Sequence, residues 1–349
     1  MTLIHKSNHL NGLTSIRFFL AIWVVLYHNC EEFSNFSSYF NIINKGHVAV
    51  SGFFLLSGLV LAYNYSKKNN FKGYLQNRFA RIYPLYFFSL LLSFPLFAYF
   101  QFKTNTDFGS TIIEVSIAST LMIQSWNYSW LLHLNPPTWS LSVEAFLYLI
   151  FPLFLYLFQG CKIHILILIQ VIIYTSLALA LSIFFKVNYQ QTPKPFMHAT
   201  TFILGLITGL LIAKNEITFI RLKNSLNSSL FFALTIVVFL TFTSLNIFDA
   251  NILDLGILAP FYILIFLLLA YNDNLLCSKI LVRLGEISYA IYLLHQPFRA
   301  YLSHFFRYIN FDNYYLEFVI YLVLLISLSN FVYIYLELPL HRKLRYKYD

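Results

Sequence analysis

Ten apolar runs, separated by short polar or basic stretches, occupy almost the whole chain: 13–30, 47–63, 83–101, 140–158, 163–185, 197–213, 229–247, 255–271, 286–303 and 316–338. A helix crossing the hydrocarbon core of a bilayer needs about 20 mostly apolar residues. Runs of this length and spacing therefore predict transmembrane helices joined by short loops. Only 11% of the 349 residues are charged and 59% are hydrophobic, whereas a soluble domain carries about 25% charged residues to cover its surface. The composition excludes a cytosolic enzyme, a secreted domain and a disordered chain. The expected fold is all-α, a polytopic membrane helix bundle of about ten transmembrane helices that forms one domain over 1–349. A further stretch, 111–132, carries Glu114, Gln124 and Asn127, and reads as an interfacial or re-entrant segment. The first run reads as a retained span, because Glu31 and Glu32 follow Cys30 where a cleavable signal would place small residues.

Charge sets the expected orientation. Threading ten spans with the N-terminus inside places 17 of the 23 cations on the cytoplasmic side, including Lys6, Lys67, Lys68, Lys162, Arg221, Lys223 and the closing Arg342, Lys343, Arg345 and Lys347. Lys45, Lys103, Lys186, Lys194, Arg299 and Arg307 fall at outer loops or outer span ends. This bias predicts both termini in the cytoplasm of an inner-membrane protein. It accounts for the net charge of +9 without a nucleic-acid partner; membrane lipids are the expected surroundings. Cys30, Cys161 and Cys277 show no metal or redox spacing, and their odd number argues against a disulfide framework. No metal site is expected. The chain has no internal repeat, which disfavours a glycan transporter or flippase built from duplicated halves.

Ionisable groups inside spans are costly and point to function. Arg17 and His28 lie eleven residues apart in the first run; in a helix that is three turns plus about 20°, so both share one face about 16 Å apart. Snorkelling to the two headgroup layers is the alternative for each. Gly46, Gly52 and Gly58 with Ser51 and Ser57 form a small-residue stripe that permits close helix approach, and His47 sits at its outer end. Arg78 and Arg81, three apart and so neighbours on a helix, follow Lys67, Lys68 and Lys72. They read either as a plain cytoplasmic loop or as an anion clamp, since guanidinium forks suit phosphates. Glu144 lies about one turn inside the fourth run after the rigid Asn135-Pro136-Pro137-Thr138-Trp139 turn. Glu286, Ser288, Tyr289 and His295 lie in the ninth run, where His295 beside Pro297 reads equally as a core histidine, and Glu337 closes the tenth.

Taken together and in order, these strings resemble the acyltransferase-3 family of integral membrane acyltransferases, which mostly O-acetylate cell-surface carbohydrates. The resemblance rests on Arg17 and His28 with ten residues between them, GFFLLSG at 52–58, Arg78-x-x-Arg81 followed by IYPLY, WSLSVE ending at Glu144, SYAIYLLHQP at 288–297 and the closing Glu337-x-Pro339-x-x-Arg342. It resembles the membrane-only form, without a C-terminal esterase-like domain. The resemblance implies a catalytic pair, Arg17 and His28, and a coenzyme A contact at Arg78 and Arg81, with Lys72 beside them. On that basis the expected reaction moves an acyl group, most simply acetyl from acetyl-CoA, to an extracytoplasmic or lipid-linked glycan; succinyl or another acyl group is the variant reading. His28 would act as general base or as a transient acyl carrier. Arg17 would stabilise the carbonyl oxygen or orient the pantetheine arm, and Glu144 would pair with Arg17 or orient His28.

Overall fold

A computed structural model describes residues 11–29, 42–66, 71–104, 108–180, 193–214, 228–244, 252–253, 256–271 and 276–347. Lys6, Cys30, Glu31, Glu32, Lys67, Lys68, Lys186, Arg221 and Lys223 lie outside them. The described residues are helical with no strand. The helices are α1 (Asn11–His28), α2 (Val48–Tyr65), α3 (Tyr74–Thr104), α4 (Phe108–Thr120), α5 (Trp139–Gln159), α6 (Ile163–Ala180), α7 (Lys194–Lys214), α8 (Ser228–Ser244), α9 (Ala259–Tyr271), α10 (Lys279–Tyr308), α11 (Tyr314–Val332) and α12 (Leu338–Leu344). A π-helical turn, Tyr333–Glu337, joins the last two. Each predicted apolar run overlaps a helix. Among the described residues, five segments are long and apolar enough to cross a membrane: α2, α3, 136–159, α7 and the continuous stretch 314–344. Shorter apolar stretches occur in α6, α8 and α9. This is a membrane helix bundle.

The segment 111–132 is not one continuous helix. α4 has 13 residues, about 20 Å of helix, and is followed by 3-10 turns at Gln124–Trp126 and Tyr128–Trp130. Its polar residues hold it in place, because a buried amide must find partners. Gln124 is buried and donates to the Tyr86 hydroxyl and to the Thr138 carbonyl, each at 3.0 Å. Tyr86 in turn donates to the Ser119 carbonyl, and Ser125 pairs with Ser142 at 2.6 Å.

The chain forms two compact units. The first comprises Met1–Asn70, Ile150–Thr192 and Phe196–Glu286. Glycine governs its packing, since helices in lipid associate through close backbone approach. A Cβ on Gly58 would lie 2.2 Å from the Phe202 carbonyl oxygen, one on Gly205 1.9 Å from that of Leu55, and one on Gly209 2.3 Å from that of Leu59. Thus α2 and α7 touch backbone to backbone at Gly58 and along Gly205-x-x-x-Gly209, whereas Gly52 of the stripe faces the Tyr262 ring of α9, and α2 is buried on nearly every side.

The second unit comprises Phe71–Leu149, Pro193–Pro195 and Ile287–Asp349. Here α12 lies on α3: Gln76 donates to the Leu344 carbonyl at 2.9 Å, and Tyr346 N–H to Asn77 Oδ1 at 2.8 Å. Two sequence motifs meet on α10. Pro297 has no N–H, so it cannot bond the carbonyl one turn back; that carbonyl, Leu293 O, accepts instead from Asn135 Nδ2 at 3.1 Å. His295 is fully buried, with Nδ1 2.6 Å from Tyr292 O, and its own carbonyl accepts from Tyr321. It is a core histidine bonded to the backbone of its own helix. A buried ion pair, Arg299 with Glu317, ties α10 to α11.

Candidate functional site

In the first unit, α1 runs unbroken from Asn11 to His28, so the eleven-residue spacing keeps Arg17 and His28 on one face. The same angle places Arg17 between Leu13, Leu20, Ala21 and Val24, all buried. Arg17 is itself half-buried. It therefore belongs to the interior side of the helix, not to the side carrying exposed Phe19. His28 ends the helix and is exposed. Its ring faces the Val24 carbonyl one turn back.

A second imidazole lies close by. The Tyr27 ring stands 5.1 Å from the His28 ring and 5.4 Å from that of His47, and the charge of His47 acts on His28. The turn before α2 reaches α1 because Gly46 has no side chain: a Cβ there would meet the Trp23 carbonyl oxygen at 2.4 Å and Tyr27 Cβ at 2.6 Å. The Trp23 indole N–H fastens the same turn by donating to Ile42 O at 2.7 Å. From the sequence, His47 stood merely at a span end; the structure sets it half-buried against Tyr27. A glycine directly before a histidine was the available signal.

In the second unit, four of the motifs converge at the start of α3. Arg81 Nη1 is 2.5 Å from Glu337 Oε1, whose side chain is only 2% exposed. Arg78, one turn earlier on the same face, sits 5.9 Å from the centre of the Tyr148 ring. Tyr148 donates to Glu144 Oε1 at 2.5 Å. Tyr289 donates to the Ile82 carbonyl at 2.8 Å and feels the charges of Glu337, Glu144 and Arg81. Arg-x-x-Arg, WSLSVE, SYAIYLLH and the closing Glu-x-Pro thus form one polar cluster.

Helix α12 extends the cluster. His341 lies in the field of Arg81, Arg345, Arg78 and Arg342. Lys72 is exposed, 5.7 Å from the Tyr346 ring centre, and its hydrogen bond to Tyr346 holds its ammonium above the ordinary lysine range. Five cations (Lys72, Arg78, Arg81, Arg342, Arg345) stand against Glu144 and Glu337, a surplus suited to a polyanion. Arg17 and His28 belong to the first unit and Glu144 to the second; the partner of Glu144 in its own unit is Tyr148. Among the described residues, no cluster of His, Cys, Asp or Glu could hold a metal ion.

Comparison with known proteins points the same way. Residues 10–334 match the acyltransferase-3 family model, described as an acyltransferase domain. Over 151 residues the chain is 34% identical to "Acyltransferase MdmB" of Streptomyces mycarofaciens; the match covers 41% of this chain and only 38% of that protein. Over 257 residues it is 25% identical to "Putative acetyltransferase ORF330" of Acidianus two-tailed virus, covering 73% of this chain and 74% of the relative. No solved structure matches. The family match runs through both compact units and includes the Arg17/His28 helix and the residues Arg78 and Arg81, so the chain belongs to the acyltransferase-3 family and is a membrane enzyme that transfers acyl groups.

Proposed function

We propose that this acyltransferase moves an acetyl group from cytoplasmic acetyl-CoA to a hydroxyl of a cell-surface carbohydrate, such as a lipopolysaccharide O-antigen or an exopolysaccharide, within the inner membrane and as one domain over 1–349. The observation that carries the reading is the placement of Arg17 on the buried face of α1 with His28 on the same face of an unbroken helix. The word "acetyltransferase" in the name of the viral relative favours acetyl as the group.

In this reaction the acceptor oxygen attacks the thioester carbonyl, and its proton passes to the imidazole nitrogen of His28 that faces away from Val24. Arg17, about 16 Å along the helix from His28, orients the pantetheine arm of the donor so that its carbonyl meets the acceptor. Collapse of the intermediate breaks the C–S bond, and the proton on His28 returns to the leaving thiolate of coenzyme A. His28 ends each cycle neutral, as base catalysis requires. Arg78, Arg81 and Lys72 hold the phosphates of the donor, because charge-assisted bonds to guanidinium groups are about twice as strong as neutral ones. Glu144 acts there as a positioning residue, through Tyr148 and its contact with Arg78.

Mass spectrometry of surface glycans from cells with and without the gene tests the proposal. Loss of acetyl esters in the deletion strain, restored by the wild-type gene and not by His28→Ala, is the expected result. Glycans that keep their esters, or that fail to reach the surface, contradict it; a succinyl difference in place of acetyl overturns the donor assignment alone.

A further inference from the structure

The second unit contains a cavity of about 500 Å³ at the far end of α3 from the cationic cluster, between α3, the turn before α5 and α10. Its nearest lining residue on α3, Ser93, lies twelve positions beyond Arg81, about 18 Å along the helix. The volume lies in the range of small-molecule sites, which are mostly apolar with a few well-placed polar groups. Ser93, Gln101, His133, Asn135 and Gln296 supply the polar groups, and the exposed Phe100 ring forms part of the apolar wall. Among the described residues, no Asp, Glu, Lys or Arg lines the cavity, in contrast with the cation-rich opposite end of α3.

Asn135 gives the cavity its sharpest chemical demand. It is 2% exposed. Its amide nitrogen is committed to Leu293 O and Ser89 Oγ, which fixes the orientation of the side chain, since a carbonyl only accepts. Its Oδ1 is buried without a hydrogen-bond partner. A buried acceptor left unmatched costs about 1–3 kcal/mol, and an O–H donor from a ligand removes that cost. A polyphosphate offers mainly acceptors and negative charge, and this wall provides no cation to receive it.

From the uncharged wall, the aromatic ring and the unmatched acceptor we infer that this cavity binds a neutral sugar ring, with C–H groups against Phe100 and hydroxyls toward Asn135, Gln101 and Gln296. It holds a sugar residue of the glycan acceptor proposed above, at a place distinct from His28 and Arg17, which do not line it, and it rests on that reading for its role, though not for its ligand chemistry. The two substrates then dock at opposite ends of α3, each where the chemistry of the wall matches its charge.

A binding assay that needs no acyl transfer tests this. In protein whose Cys30, Cys161 and Cys277 are replaced by serine, His133→Cys places a thiol in the cavity wall, and its rate of reaction with a small neutral maleimide is measured. The probes are the methyl glycosides of glucose, galactose, mannose, rhamnose and N-acetylglucosamine, with coenzyme A and octanoate as comparisons. At least one glycoside slows labelling, about fivefold at four times its dissociation constant, and Gln101→Leu or Gln296→Leu removes the protection. Protection by coenzyme A or octanoate in place of any glycoside, or by none of the probes, overturns the inference. A protein that shows glycoside protection without transferring acetyl leaves the cavity assignment standing and refutes only the proposed reaction.

Discussion

The ion pair between Arg81 and Glu337 joins the start of α3 to the end of the π-helical turn, and its strength follows from its setting. Two unit charges about 4 Å apart at an effective dielectric of about 20 attract by about 4 kcal/mol. Glu337 is 2% exposed and has lost nearly all its hydration, while Arg81 keeps 29% of its side-chain surface accessible. Desolvation of the carboxylate and partial screening of the guanidinium offset about half of that attraction, leaving a coupling of about 2 kcal/mol. Removing Glu337 alone costs more, about 3 kcal/mol, because it strands a guanidinium that already shares its helix face with Arg78. The variants Arg81→Met, Glu337→Leu and the double substitution, unfolded in mixed micelles of rising dodecyl sulfate and followed by tryptophan fluorescence, give the cycle. The double variant is expected to be about 2 kcal/mol more stable than the sum of the single losses predicts. Single losses that add to within about 0.5 kcal/mol would refute the pair as the tie between α3 and α12.

Other consequences follow from the packing and from the proposed roles. Gly205→Leu forces a side chain onto the Leu55 carbonyl, 1.9 Å from the position of its Cβ, and should cost about 3 kcal/mol or more. Gly109→Ala, with nothing within 4 Å, should leave thermal stability unchanged in the same melt, and a reversal of that order contradicts the α2–α7 contact. Arg78→Ala should raise the KM for acetyl-CoA about tenfold or more, the worth of a charge-assisted hydrogen bond, with kcat nearly preserved; an unchanged KM removes Arg78 from the donor site. For orientation, an impermeant thiol reagent added outside intact cells should label Lys45→Cys and spare Lys162→Cys, and the opposite pattern inverts the topology.

Much of this architecture was legible in the residues. The positions of the apolar runs were readable because burial in lipid demands long, nearly chargeless segments, and the segment 111–132 stood apart because Gln124 and Asn127 do not suit a lipid-facing helix. The small-residue stripe of α2 was readable as a packing face, and its glycines meet three helices: Gly46 meets α1, Gly52 meets α9 and Gly58 meets α7. Partnerships between distant residues were not readable. Nothing in the string announces that Asn135 supplies the hydrogen bond Pro297 removes, that Glu337 closes on Arg81, or that Arg299 meets Glu317. Each depends on which helices become neighbours, and that is set by the sum of many weak contacts. His47 is intermediate: Gly46 marks a close approach, but only the fold identifies α1 as the surface approached.

The most direct test concerns His28. The purified protein in lipid nanodiscs, given acetyl-CoA labelled in the acetyl group and the deacetylated surface glycan of its host, should transfer label to the glycan. His28→Ala should lower that rate by about 100-fold or more, the usual contribution of a positioned base, while retaining the wild-type melting profile and binding of acetyl-CoA. A His28→Ala protein that acetylates the glycan at the wild-type rate would contradict the central claim.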